Sequence, residues 1–180
     1  GLMLFLLLTI TRGCQENQIA NSTTTNKISF EFKLPVSNDL TQINLISEVD
    51  GYTPAFLSKA WGIAFNKIGE ACVSSKGKGL STIYDENGIS LKSTFGIPFN
   101  GDPTGASPSG VVYNNTSAFI IPSSREKSEF IFATENGTIA AWNSGSVATT
   151  VADQSSSKTV YKGLTIAKYG GKNFLYVTDF

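Results

Sequence analysis

Five residues carry most of the chemistry this chain can offer: Lys59, Trp61, Ser109, Tyr161 and Lys162. Trp61, Ser109 and Lys162 stand immediately before a glycine, at Gly62, Gly110 and Gly163, and Lys59 and Tyr161 lie close by. If these strand starts meet in space, two ammonium groups would form a cationic site for an anion. A hydroxyl and two aromatic faces would then help to hold the ligand. The competing reading is structural: solvated lysines, and aromatic rings packed between sheets, as expected for Trp142 and equally for Trp61. Catalytic chemistry is poorly supplied. The chain has no histidine, which removes the usual general base and the commonest metal ligand. It has no nucleophile elbow, phosphate loop or metalloprotease motif. Asp50, Asp102, Asp153 and Asp179 share no loop spacing from which a metal site follows. Glu135 and Asp179 end or follow strands, where a carboxylate commonly bonds turn amides.

The elements that would position these groups recur. Segments beginning at Ala60, Ser109 and Tyr161 each place a glycine ahead of an apolar run and then reach a second apolar run. Their glycines lie 48 and 53 residues apart. Short strands repeating every 40–50 residues or so are the signature of β-propeller blades. Asp50-Gly51, Asn87-Gly88, Asn100-Gly101, Asn136-Gly137 and Gly170-Gly171 mark tight turns between them. Strands are expected near 61–66, 70–75, 80–84, 89–94, 110–113, 118–121, 129–134, 138–142, 147–151, 162–168 and 173–178. No segment sustains a 3.6-residue apolar period, so almost no helix is expected. The fold class is therefore all-β, a propeller, with residues 40–180 supplying about three blades at roughly 45 residues each. A ring closes with about four to eight blades, so the chain is expected to be the front part of a longer protein. In such a ring the first strands line the central channel, which would place Lys59, Ser109 and Lys162 around its mouth.

The amino terminus carries a second message. Leu2–Ile10 form a nine-residue apolar run, too short to span a bilayer and suited to a signal peptide. Gly13-Cys14 and an abruptly polar stretch follow, the pattern of a lipoprotein signal over 1–14 with Cys14 as the lipidation site. An ordinary cleaved signal with an incidental cysteine is the alternative. Residues 15–39 read as a tether followed by an edge strand, in which Ile28, Phe30, Phe32 and Leu34 alternate with polar neighbours. Cys72, in an apolar stretch, is expected to be a small buried hydrophobe. Asn21, Asn114, Asn115 and Asn136 head glycosylation-type triplets, read here as exposed turns.

The segments INLISEVDGYTPAFLSKAWGIAF from Ile43, STIYDENG from Ser81, PTGASPSGVVYN from Pro103, FIFATENGTIAAWN from Phe130 and VYKGLTIAKYGGKNFLYVTDF from Val160 cover most of 40–180. Their order resembles an uncharacterised family of exported bacterial β-propeller proteins, some with PEP-CTERM-type sorting tails. More remotely it is similar to NHL-type and lactonase-like propellers. The family pattern shows an asparagine two residues before the Trp of WGI and an Asp-bearing turn after the next strand. Here those places hold Lys59 and the run Val73-Ser74-Ser75-Lys76.

Zero net charge argues against nucleic acid, whose phosphates call for concentrated Lys and Arg. The expected function is a non-catalytic binding or interaction module displayed at the bacterial cell envelope or outside the cell. It would meet the membrane only through its lipid and take a protein, glycan or small-molecule ligand without a cofactor. The alternative is a lactonase- or lyase-type enzyme whose site is completed by later blades. Calcium enters only under that alternative, as the lactonase resemblance implies.

Overall fold

The computed structural model of the chain describes residues 45–47, 56–91 and 94–180. Cys14, the 1–14 signal, the strand expected within 15–39 and the Asp50-Gly51 turn lie outside these residues. The described residues are all-β: two four-stranded antiparallel sheets and one antiparallel hairpin, none closed on itself. The first sheet runs β1 (Ala60–Phe65), β2 (Ala71–Ser75), β3 (Leu80–Tyr84), β4 (Phe95–Gly96), in chain order. The second runs β5 (Pro108–Tyr113), β6 (Phe130–Thr134), β7 (Thr138–Trp142), β8 (Thr149–Asp153), again in chain order. β9 (Tyr161–Tyr169) and β10 (Lys172–Asp179) form the hairpin. Helix is confined, among the described residues, to single 3-10 turns at Lys76–Lys78 and Ser155–Ser157.

Each strand returns beside its predecessor, through short turns after β1, β2, β6 and β9 and through longer loops after β3 and β5. Gly170 and Gly171 both take positive φ, 55° and 77°, as a two-residue hairpin turn requires. Two expected strands differ. Of the one expected over 89–94, the described residues show a bridge between Tyr84 and Ser90, and β4 pairs further on, at Phe95–Gly96. The one expected over 118–121 is a single bridge between Ile120 and Lys127. Phe119 has φ 59°, a left-handed conformation that interrupts extended backbone. Asn114 closes that loop. Its Nδ2 donates to the carbonyls of Ala118 (2.8 Å) and Ser128 (3.1 Å), and its Oδ1 accepts from the Thr116 amide. It is fully buried, so the first of the two overlapping triplets there presents exposed Asn115 but not its leading asparagine.

The middle sheet is apolar on both faces, and the pleat explains how. On β6, Phe130 and Phe132 point to the first sheet while Ile131 and Ala133 point to the hairpin. On β7, Ala140 and Trp142 take the first direction and Ile139 the second. Phe95 of β4 stacks on Trp142 with ring centroids 4.0 Å apart and meets Phe132 edge-on at 5.8 Å. Trp142 is thus packed between sheets, as expected. Trp61 is not: it remains 58% exposed at the start of β1. Cys72 is fully buried in the same core as Phe95 and Trp142, and burial pushes its thiol up to about 12.

The repeated glycines mark where first strands touch. A Cβ on Gly62 would stand 2.9 Å from the Val111 nitrogen and 3.1 Å from the Ser109 carbonyl oxygen, both on β5. One on Gly110 would stand 2.8 Å from the Lys162 carbonyl oxygen on β9. β1 therefore packs against β5, and β5 against β9, backbone to backbone. Gly163, the third of the series, meets nothing closer than Thr178 Oγ1 at 3.6 Å, within its own hairpin.

Candidate functional site

The close approach of β1, β5 and β9 brings their starting ends together, and one charged cluster spans them. Glu135 follows β6 on the middle sheet. Its two oxygens take one lysine each: Oε2 with Lys76 at 2.6 Å and Oε1 with Lys162 at 2.5 Å. Lys76 opens the 3-10 turn after β2 of the first sheet, and Lys162 lies in β9 of the hairpin. A single carboxylate thus ties three successive sheets at one end.

Trp61 lies beside this cluster. Lys76 Nζ is 5.4 Å from the indole centroid and Lys162 Nζ 5.6 Å, both within cation–π range. Lys162 Nζ is also 5.5 Å from the Phe180 ring. Partial burial by itself would raise the Glu135 pKa; hydrogen bonds from Lys162 and then Lys76, with their charges, outweigh it and hold the carboxyl below its usual value. Glu135 is therefore ionised at neutral pH, and the cluster carries two positive charges and one negative.

The sequence candidates divide on this geometry. Trp61 and Lys162 belong to the cluster. Lys59, at φ 51°, lies beside it through its backbone, where its carbonyl accepts the Lys76 amide at 3.2 Å. Ser109 and Tyr161 are buried. Ser109 Oγ donates to the Tyr161 carbonyl at 2.7 Å and also faces the Ala133 carbonyl at 3.2 Å, so it joins β5 to its neighbours. The Tyr161 ring packs with Ile131, Leu175 and Val177. Asp179 Oδ1 accepts the amides of Val160 and Phe180, the turn-bonding role expected of it. Glu135 differs from the same expectation, because its side chain bonds two lysines instead.

Lys76 and Glu135 are the members that residue-by-residue reading does not single out as ligands. Lys76 has no counterpart before a repeated glycine, and only the β1–β2 pairing carries it alongside Trp61. A faint signal exists for Glu135, which follows β6 at the turn preceding β7, a position near the strand ends that gather here. Elsewhere, an open apolar pocket of about 110 Å³ lies between the middle sheet and the hairpin, lined by Phe119, Ile120, Ile131, Ile139 and Leu175 among others. Among the described residues no group of three or more His, Cys, Asp or Glu side chains is placed to hold a metal ion.

Protein-family models give no match to this chain, and neither do curated protein sequences.

Proposed function

We propose that this chain belongs to a β-propeller that serves as an exported binding module, holding its ligand where the first strands of successive sheets begin. The observation that carries the binding reading is the Trp61–Lys76–Glu135–Lys162 cluster. It sets a largely exposed indole beside two ammonium groups contributed by different sheets.

Three features support the propeller reading. Consecutive four-stranded meanders stack face to face, with their first strands adjacent. Strands β6 and β7 of the middle sheet are buried on both faces, whereas β1 leaves Ile63 and Phe65 each more than half exposed. The pocket beside Ile139 and Leu175 lies where outer strands would extend β9–β10 into a third four-stranded sheet. Further sheets closing the ring would cover these surfaces. Export and anchoring through Cys14 rest on the amino-terminal sequence.

The experiment is a binding screen of the exported protein against neutral and acidic glycans, peptides and small anions, with Trp61→Ala as control. Binding that is lost in Trp61→Ala supports the proposal. Absence of binding, or binding indifferent to Trp61, refutes the assigned site. Labelled fatty acid taken up by the natural gene product, but not by Cys14→Ser, tests the anchor. Equal labelling of the variant removes it.

A further inference from the structure

We propose that the ligand held at this cluster is a carboxylate-bearing sugar, presented as a uronate unit of an acidic polysaccharide, with its carboxylate on Lys76 and Lys162 and its ring against Trp61. This rests on the binding-module reading and adds the chemical class of the ligand.

The spacing of the two ammonium groups is the first ground. Glu135 shows that they suit the two oxygens of one carboxylate, because each nitrogen takes a different oxygen, at 2.6 and 2.5 Å. That contact uses one of three donors on each lysine, and no other hydrogen bond or ion pair engages either ammonium among the described residues. Both side chains keep access to solvent, 25% and 33% exposed, whereas Glu135 is 18% exposed and lies deeper. A second carboxylate approaching from solvent would meet the same pair through its exposed part. It finds one net positive charge, since Glu135 cancels only one of the two lysines.

The exposed indole is the second ground. Trp61 stands 58% exposed beside the two ammonium groups, and an aromatic ring with an open face can serve as a platform for a flat, weakly polar one. A pyranose ring offers a face of C–H groups to an indole while its carboxylate projects at the rim. A phosphate would satisfy the lysines but offer no C–H face to the Trp61 ring, and an apolar ligand would leave the donors unused. An acidic peptide is the competing ligand, and it lacks a rigid ring fixed beside its carboxylate.

The chain has only two tryptophans, and Trp142 is buried, so fluorescence quenching reports Trp61. The protein is titrated with tetragalacturonate, with the same oligomer methyl-esterified, and with tetraglutamate. The expected result is saturable quenching by the acid oligomer, weakened at least tenfold by esterification and by raised salt. Lys76→Gln/Lys162→Gln should lose at least tenfold in affinity, while Lys76→Arg/Lys162→Arg, which keeps both charges, should retain binding and controls for folding. Equal binding of the esterified oligomer overturns the carboxylate assignment and leaves the binding module standing. Tighter binding of tetraglutamate than of tetragalacturonate makes the ligand a peptide. No response to any probe overturns the inference outright. The broader screen then decides the fate of the site itself.

Discussion

Substituting the three repeated glycines one at a time would expose the geometry that stacks the sheets. In Gly62→Ala the new methyl carbon would stand 2.9 Å from a backbone nitrogen of β5. In Gly110→Ala it would stand 2.8 Å from a backbone carbonyl oxygen of β9 and 2.7 Å from Leu164 Cδ2. Backbone cannot swing aside as a flexible side chain can, so neighbouring first strands must separate by a few tenths of an ångström along well-packed faces. Overpacking of this kind costs about 1–3 kcal/mol, which lowers Tm by about 2–12 °C in a chain of this size. Gly163→Ala meets only Thr178 Oγ1, at 3.6 Å, and none of the three glycines has a left-handed φ that a side chain would strain. There the loss of unfolded-state freedom should stabilise by about 0.4–1 kcal/mol, raising Tm by about 1–4 °C. Melting of the three variants by circular dichroism or calorimetry checks the ordering. Similar shifts at all three positions would refute the steric account. The same Gly163→Ala change in a closed ring should behave like Gly110→Ala, because another first strand would then lie against it.

Two further outcomes follow from titrating groups. Because the folded pKa of Glu135 lies below its unfolded value, its stabilising contribution is complete above about pH 4.3 and is lost as pH falls through the folded value. The Tm difference between wild type and Glu135→Gln should therefore shrink from pH 6 to pH 3, and a pH-independent difference would show that the lysine pairing adds nothing. Cys72, buried and with its thiol pushed up to about 12, should resist a disulfide reagent at pH 8 in Cys14→Ser protein and react fully once unfolded. Rapid labelling of the native protein would contradict its burial.

How much was legible beforehand depended on whether the signal was local. The β-character, the tight turns and the three-fold recurrence are written in neighbouring residues: alternating or continuous apolar runs, and Asn-Gly or Gly-Gly pairs that favour positive φ. These were readable without any tertiary contact. The strand expected over 118–121 failed for a local reason of another kind. Asn114 gathers the loop around its amide, and Phe119 turns left-handed, a choice that apolar patterning does not encode. The glycines were visible as a repeat, but not their purpose, since a close approach of backbones belongs to two segments about fifty residues apart.

The candidate site shows the division most clearly. Sequence by itself determined that a lysine and an aromatic precede two of the repeated glycines, Gly62 and Gly163, and a serine the third, because position along a strand follows from the pattern of its neighbours. Only the tertiary structure decided which of them meet. The pairing of β1 with β2 carries Lys76 to Trp61, and the packing of β5 on β9 brings Lys162 to Glu135. The same packing buries Ser109 and Tyr161, whose polar backbone and apolar ring are used up in holding sheets together. Strand patterning tells a side chain which face it takes; the neighbour across that face is set by the stacking of sheets, where charge pairing and burial are shared among residues far apart in the chain.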